Sequence, residues 1–289
     1  METSELLKKV RTIEIKTRGL SNHIFSGSYH TAFKGRGMSF SEVREYQIGD
    51  DVRSIDWNVT ARFNHPYVKV FEEERELTVM LLVDISGSGK FGTTSQFKKD
   101  MIAEICAVLA FSAIQNNDKI GLILFSNQVE LFISPKKGKT HILRIIRELI
   151  EFEPQQKQTD INVALHYFTN AIKRRSIAFL ISDFIDPALK EDALRIANKK
   201  HDLVGIQVFD PRETELPDAG LIKVTDAETG QQQWVDTSNA GIREQYKRYW
   251  HNSQQKLKNI FSKSGVDTVS ISTYEDYVPQ LINLFKKRH

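Results

Sequence analysis

From residue 78 onward, short apolar runs alternate with segments whose apolar residues recur at helical spacing. An apolar run of strand length, bounded by turn residues, is typical of a strand buried on both faces. Such runs predict strands at 78–84, 120–125, 176–182 and 202–209, and a last strand is predicted at 266–271. Helical spacing predicts helices over 96–115, 140–150, 160–173, 187–199, 241–264 and 276–287. The pattern therefore predicts an α/β domain.

The order of these elements also predicts how the strands are arranged. Strands and helices that alternate at this length imply a doubly wound, mostly parallel sheet with helices on both faces. Residues 128–132 are expected to pair as a hairpin with the strand at 120–125. Residues 221–225 and 232–236 flank a turn that contains Gly230, and they predict an inserted, exposed β-hairpin.

The N-terminal part of the chain has a different pattern. We therefore predict a small subdomain at 1–75 and the α/β domain at 76–289. Residues 40–62 place opposite charges beside aromatic side chains. Arginine–carboxylate pairs that hold a small subdomain together explain this density of charge better than a catalytic role does. The residues concerned are Arg44, Asp50, Asp51, Arg53, Asp56, Trp57 and Arg62.

Composition narrows the classes of function. The 289 residues include 40 basic and 37 acidic side chains, a net charge of +3, and the basic residues are dispersed. Nucleic-acid binding normally requires a clustered basic surface, so we expect no nucleic-acid partner. Cys106 is the one cysteine, and we expect it to be a buried thiol in a reducing compartment. No segment has the roughly 20 apolar residues of a membrane span, and the N-terminus lacks a signal-peptide pattern, so we expect a cytoplasmic protein.

Oxygen-bearing side chains lie where the predicted buried strands end. Asp84, Ser86 and Ser88 follow one another at every second position, Asp183 ends the strand at 176–182, and Thr159 precedes a helix. The carboxyl ends of parallel strands lie at one edge of a sheet, where open α/β sheets bind ligands. Carboxylates and hydroxyls suit a hard cation such as Mg²⁺. Each residue alone could be an ordinary strand end, turn or N-cap, but their coincidence at one edge favours a metal site.

Two resemblances to known families follow from these residues. The order Asp84-x-Ser86-x-Ser88, then Thr159, then Asp183 resembles the metal-ion-dependent adhesion site of von Willebrand factor A domains. The block at 40–57, continued at 60–62 and 74–76, is similar to the bacterial Domain of Unknown Function 58 family, whose members join such a block to a von Willebrand A-like domain. The residues that carry this similarity include Arg44, Tyr46, Gly49, Asp50, Asp51, Arg53, Asp56, Trp57 and Arg62.

The resemblance implies a function as well as a fold. It implies that the serines and the threonine reach a Mg²⁺ ion, or Mn²⁺ or Ca²⁺, and that the aspartates act directly or through water. A cation held in this way keeps an open coordination position that an Asp or Glu of a partner protein fills. Members of the family are often encoded beside MoxR-type AAA+ ATPases, which implies a non-catalytic adaptor that works with such an ATPase, or its client, in protein assembly or remodelling.

The chain departs from the family pattern after the second serine. Gly89 and Lys90 stand where the family usually has a methionine, so Lys90 is a candidate modulator of the cation.

A Mg²⁺-dependent hydrolase of the phosphoesterase class is the alternative function. It would explain the acidic strand ends, and it could recruit His30, His65, His141 or His166. Hydrolysis requires a nucleophile or an activated water with a positioned base, and none of these histidines follows a strand beside Asp84. The sequence therefore favours a binding protein over an enzyme.

Overall fold

The computed structural model describes residues 39–72, 76–87, 98–226 and 228–288. The chain divides into two compact units: the smaller ends at Leu77, and all described residues from Thr78 onward belong to the larger. The predictions for residues 1–38, and those for Ser88 and Lys90, lie outside the described residues.

The smaller unit contains an antiparallel pair of strands, β1 (Ser39–Glu45) and β2 (Tyr67–Glu72). A 3-10 turn at Val52–Ser54 and the helix α1 (Trp57–Phe63) lie between them in the chain. The helix ends at Asn64, which adopts a left-handed conformation with φ of 55°. Asparagine tolerates this conformation better than most residues, so it is a suitable end for a helix.

Two aspartates of this unit hold its turns. Arg44 binds Asp50 through both ends of its guanidinium group, with Nη1–Oδ2 and Nη2–Oδ1 distances of 2.7 Å. This hydrogen bonding is the main reason that the pKa of Asp50 lies below its usual value. The carboxylate of Asp51 accepts a hydrogen bond from the N–H of Arg53 at 2.9 Å, and so begins the 3-10 turn.

The other residues of the predicted family motif form turns, cap the helix or lie exposed on it in the same unit. Gly49 has a φ of 113°, which favours glycine because it has no Cβ. The N–H of Tyr46 donates to the carbonyl that precedes β2, at 2.9 Å. Asp56 caps α1, because its carboxylate accepts from the first free N–H groups of the helix. Trp57 and Arg62 are exposed on α1.

The larger unit contains the α/β elements. Its strands are β3 (Thr78–Asp84), β4 (Lys119–Phe125), β5 (Val129–Lys136), β6 (Ile177–Ser182), β7 (Asp202–Phe209), β8 (Leu221–Thr225), β9 (Gln232–Asp236) and β10 (Asp267–Ser272). Its helices are α2 (Lys98–Gln115), α3 (Lys139–Glu151), α4 (Ile161–Ala171), α5 (Glu191–Lys200), α6 (Ala240–Ser264) and α7 (Tyr277–Lys287).

Among the described residues, six of these strands form one sheet in the order β10-β7-β6-β3-β4-β5. Every neighbouring pair is parallel except the edge pair of β4 and β5, which is antiparallel. Strands β8 and β9 pair only with each other, as a separate antiparallel hairpin. The predicted doubly wound, mostly parallel sheet with an inserted β-hairpin is therefore confirmed.

Helices cover both faces of this sheet. Met80 and Leu82 of β3 lie in one core cluster with residues of α4, α5 and α6. Side chains alternate in direction along a strand, so residues at odd positions of β3 and β6 point to the opposite face. There Phe179 of β6 meets Phe285 of α7 edge to face, with ring centroids 6.2 Å apart.

The strand order determines where a ligand site is expected. From β3 the chain runs to β4 and β5 on one side of the sheet, and then to β6, β7 and β10 on the other. The order of the strands thus reverses between β3 and β6, where Val83 is in register with Ile181. Open α/β sheets bind ligands outside the carboxyl ends of their strands at such a switch point. Asp84 and Asp183 follow these two strand ends.

Candidate metal centre

Asp84 ends the central strand β3 and is only 6% exposed. Its Oδ1 accepts a hydrogen bond from the N–H of Ser86 at 2.9 Å, and its Oδ2 accepts one from Oγ of Ser182 at 2.7 Å. Burial raises the pKa of Asp84 to about 6, and the nearby charge of Asp183 adds to this rise. A cation placed beside these two carboxylates would therefore favour the ionised form of Asp84.

The loop after β3 is connected to the segment that leads to Thr159. The N–H of Gly87 donates to the carbonyl of Lys157 at 2.9 Å. Ser86 is buried next to Asp84, with 3% of its surface exposed. The structure thus brings the first loop of the predicted site against the loop before α4.

A buried lysine contacts the second aspartate of the predicted site. Lys98, the first residue of α2, is 1% exposed. Its Nζ lies 2.9 Å from Oδ2 of Asp183 and 2.6 Å from Oε1 of Glu213. Burial alone would lower the pKa of Lys98, but the charges of Asp183 and Glu213 outweigh burial and raise it. Lys98 is therefore a fixed ammonium ion at this edge of the sheet.

The loop after β6 has a strained backbone. Phe184 has a φ of 57°, a left-handed conformation that is uncommon for a bulky residue. Its N–H donates to Oγ of Ser182 at 2.9 Å, and its ring packs edge to face on Phe261 with centroids 5.0 Å apart. Strain of this kind persists where surrounding contacts enforce it, and it often occurs at functional sites. These contacts fix the backbone on either side of Asp183.

Thr159 contacts a residue of the inserted hairpin. Its Oγ1 donates a hydrogen bond to Oε1 of Glu228 at 2.9 Å. Glu228 lies in the turn between β8 and β9. Burial raises the pKa of Glu228 most, the charge of Asp183 raises it further, and the hydrogen bond from Thr159 lowers it. The hairpin tip therefore reaches the edge of the sheet where Asp183 lies.

The donor set suits a hard cation. Asp84, Ser86, Thr159 and Asp183 supply only carboxylate and hydroxyl oxygens, which are ligands that Mg²⁺ accepts. In the described residues, no group of three or more His, Cys, Asp or Glu side chains is arranged as a metal site by itself. A metal site at this position would therefore need the hydroxyls of Ser86 and Thr159 as well as the carboxylates. With Lys98 already on one oxygen of Asp183, a cation would use the other oxygens of the cluster.

Sequence reasoning missed several residues of this cluster. The sequence pattern indicates only that Ser182 is the last residue of a strand, although it stands beside Asp183. Lys98 and Glu213 gave no signal, because a lysine at a helix start and a glutamate in a loop are ordinary surface residues. Glu228 lies in a turn-forming segment, and its composition indicated only a hairpin.

A protein-family model described as "Protein of unknown function DUF58" matches residues 42–256 of the chain. The match includes most of the smaller unit and the sheet edge described above. No helix in the described residues combines the length and the apolar character that crossing a membrane requires.

Individual proteins are similar over different lengths. The uncharacterized protein Rv1480 of Mycobacterium tuberculosis is 28% identical over 290 residues, which covers 100% of this chain and 91% of that protein. The uncharacterized protein YeaD of Bacillus subtilis is 27% identical over 109 residues, 38% of this chain and 25% of that protein. The crystal structure of BatB from Bacteroides thetaiotaomicron is similar with a TM-score of 0.50 at 15% identity, covering 73% of this chain and 98% of that one. This last likeness concerns the fold alone.

Proposed function

Because this chain belongs to the DUF58 family of proteins of unknown function, we propose its role from the geometry of its own site. The protein is a non-catalytic adaptor whose sheet-edge site binds a divalent cation and, through it, an acidic side chain of a partner protein. Asp84, Ser86, Thr159 and Asp183 would hold the ion, which is Mg²⁺ or, as alternatives, Mn²⁺ or Ca²⁺.

The observation that carries this proposal is the buried pair of carboxylates at the switch point of the sheet. Asp84 is buried beside Asp183, and burial together with the mutual charge keeps its pKa near 6. Two carboxylates held close together in a buried position are costly unless a cation balances them. Lys98 contacts Asp183 but has no hydrogen bond to Asp84 in the described structure, so the cluster retains the capacity for a further cation.

The contacts of the site disfavour a hydrolytic role. Lys98 is held as an ammonium ion by Asp183 and Glu213, so it has no free pair of electrons with which to act as a base. The ring hydrogen bonds that the structure shows for histidines involve other parts of the sheet: His141 contacts the carbonyl of Ile120, and His201 contacts Ser176. A bound Mg²⁺ would supply an electrophilic docking point for a carboxylate.

The partner proposed here rests on the family resemblance. Genes of the family often lie beside those of MoxR-type AAA+ ATPases, so we take such an ATPase, or its client, as the protein that presents Asp or Glu to the site. We propose a cytoplasmic location as part of the same role. No nucleic acid is required.

The test replaces Asp84 with alanine and measures the binding of the ion and the binding of the partner. Mg²⁺ binding is measured by calorimetry, and binding of the purified MoxR-type ATPase from the same organism is measured with Mg²⁺ and with excess chelator. We expect Asp84→Ala to abolish both. Asp192→Ala is the matched control, because Asp192 is an exposed carboxylate on α5 and should leave both unchanged. The proposal would be contradicted if Asp84→Ala bound the ATPase as tightly as the natural chain does, or if excess chelator left the binding unchanged.

A phosphoesterase assay with Mg²⁺ or Mn²⁺ completes this test. Turnover by the natural chain that disappears in Asp84→Ala would place the protein among the hydrolases.

A further inference from the structure

We propose that the β8–β9 hairpin is a built-in occupant of the metal site, with Glu228 in the coordination position that a partner's carboxylate would take. This inference rests on the proposed function and adds its regulation: the partner's acidic side chain must displace the hairpin tip before it reaches the cation.

The first support is the distance between Thr159 and Glu228. Oγ1 of Thr159 and Oε1 of Glu228 are 2.9 Å apart. Ligands of an octahedral Mg²⁺ lie 2.0–2.1 Å from the ion, so two adjacent ligand oxygens are about 3 Å from each other. The observed separation therefore allows both oxygens to bind the same ion with little movement.

The second support is the way in which the turn presents Glu228. The carboxylate of Asp226 accepts hydrogen bonds from the N–H groups of Glu228 and Thr229, at 2.9 and 2.8 Å. The N–H of Gly230 donates to the carbonyl of Asp226 at 2.9 Å, and Gly230 has a φ of 71°. Asp226 thus organises the turn from within and leaves the side chain of Glu228 for a contact outside the hairpin.

The third support is the charge around Glu228. Its carboxylate lies near the negative charges of Asp183, Asp186 and Asp226. A fourth carboxylate in this position is unfavourable by itself, and a cation between these groups turns the repulsion into attraction. A bound cation would therefore offset the repulsion that Glu228 meets in this position.

The fourth support is that the hairpin is free to move at small cost. In the part of the chain that the structure describes, its two strands pair with each other and not with the six-stranded sheet. Two of its large apolar side chains, Leu221 and Trp234, are more than 60% exposed. A cavity of about 1020 Å³ lies between the hairpin and α6, lined in part by Ile222, Trp234 and Tyr246. An isolated two-stranded hairpin is marginally stable, so one contact at its tip contributes substantially to its position.

The inference is tested with Mn²⁺ alone, through its effect on the relaxation of water protons, which counts the water molecules bound to the ion. In Glu228→Gln we expect one more water on Mn²⁺ than in the natural chain, and Mn²⁺ affinity lower by about tenfold. Glu215→Gln is the matched control, because Glu215 is an exposed carboxylate that precedes the hairpin. The control should leave hydration and affinity unchanged.

Hydrogen exchange of residues 221–236 gives a second readout. Mg²⁺ should slow exchange in the hairpin of the natural chain but not in Glu228→Gln. Mn²⁺ binding with equal hydration in both proteins, and with hairpin exchange insensitive to Mg²⁺, would overturn the inference and leave the metal site intact. Absence of Mn²⁺ binding by the natural chain would instead remove the proposed function itself.

Discussion

Buried polar side chains lie at both ends of the strands in the central sheet, which are called here the amino-terminal edge and the carboxyl edge. The two differ in how the charges of these side chains are balanced. At the amino-terminal edge, Arg288 forms ion pairs with Asp202 and Asp267. Nearby, Oγ of Ser176 lies 3.0 Å from Nδ1 of His201. Burial, and then the positive charges of neighbouring residues, lower the pKa of His201 to about 4, so its ring is neutral at pH 7. These polar groups are therefore paired or neutral.

The carboxyl edge has a surplus of negative charge. Within the described part of the chain, Asp84, Asp183, Glu213 and Glu228 come together with the ammonium group of Lys98. A structural role would not require this surplus, because uncompensated buried charge lowers stability. Groups that shift each other's pKa in a buried cluster are instead a common mark of a functional site. The difference separates polar groups that stabilise the fold at one end of the strands from an excess of carboxylates at the other end, where we propose a cation site.

The largest effect is expected from removing the ammonium group of the carboxyl edge. Lys98→Met keeps most of the length of the side chain but leaves Asp183 and Glu213 buried without the counter-charge of Lys98. Breaking a buried ion pair in this way typically costs about 3–5 kcal/mol, so we expect the free energy of unfolding in urea to fall by that amount. The second variant Lys98→Met with Glu213→Gln should recover part of the loss, since it removes one of the two uncompensated charges.

An exposed ion pair provides the control for this prediction. Arg147 and Glu151 are 2.8 Å apart on the surface of α3. Arg147→Met should leave the urea midpoint almost unchanged, because solvent screens such pairs. Equal effects of Lys98→Met and Arg147→Met would mean that the contacts of Lys98 contribute no more than a surface pair.

At the amino-terminal edge, the stability that His201 contributes should depend on pH. The pKa of His201 is lowered in the folded protein, so the unfolded chain takes up a proton first as the pH falls. The stability that His201 contributes is fully present above about pH 6.5 and is lost as the pH falls toward 4. The loss is at most about 3 kcal/mol.

Urea unfolding of the natural chain and of His201→Gln over pH 4–8 measures this contribution. The difference in unfolding free energy between the two proteins should change across this range, because the glutamine does not titrate. A constant difference from pH 4 to pH 8 would contradict the buried, neutral state of His201.

The pattern of apolar residues was sufficient to predict the sheet. The run at 78–84 matches β3, and the hairpin strands at 221–225 and 232–236 match β8 and β9. Cys106 is buried in α2, as its apolar surroundings indicated. Such local signals succeed because a strand buried on both faces must be apolar along its whole length. The pattern did not reveal β1 or α1, because their residues lie in a charged segment with no regular periodicity.

The sequence pointed to members of the candidate site that end or follow a strand and, in Thr159, to one that precedes a helix. Asp84, Ser86 and Asp183 stand at positions that topology alone brings to one edge. Lys98 and Glu228 come from a helix start and a hairpin turn, and nothing in their local sequence indicates that they approach Asp183 and Thr159. Contacts between segments distant in the chain are set by packing, which a single sequence does not encode in a readable local form.

An effect no larger than that of His201 should come from Asp84, and its direction separates a structural from a functional carboxylate. The folded-state pKa of Asp84 is raised to about 6, so ionising it costs stability as the pH rises from about 4 to above 6. In chelator at pH 7, Asp84→Asn should therefore be more stable than the natural chain by up to about 3 kcal/mol. This gain should disappear toward pH 4, where Asp84 is protonated in the natural chain.

Thermal melts in chelator and in Mg²⁺ measure both halves of this prediction. Mg²⁺ should raise the melting temperature of the natural chain and leave that of Asp84→Asn unchanged, because a ligand stabilises only the protein that binds it. Lower stability of Asp84→Asn in chelator at pH 7 would show that the carboxylate holds the fold together, as Arg288 does at the opposite edge. A gain in chelator that Mg²⁺ reverses would mean that this carboxylate is kept at a cost to stability, as expected of a group that serves binding.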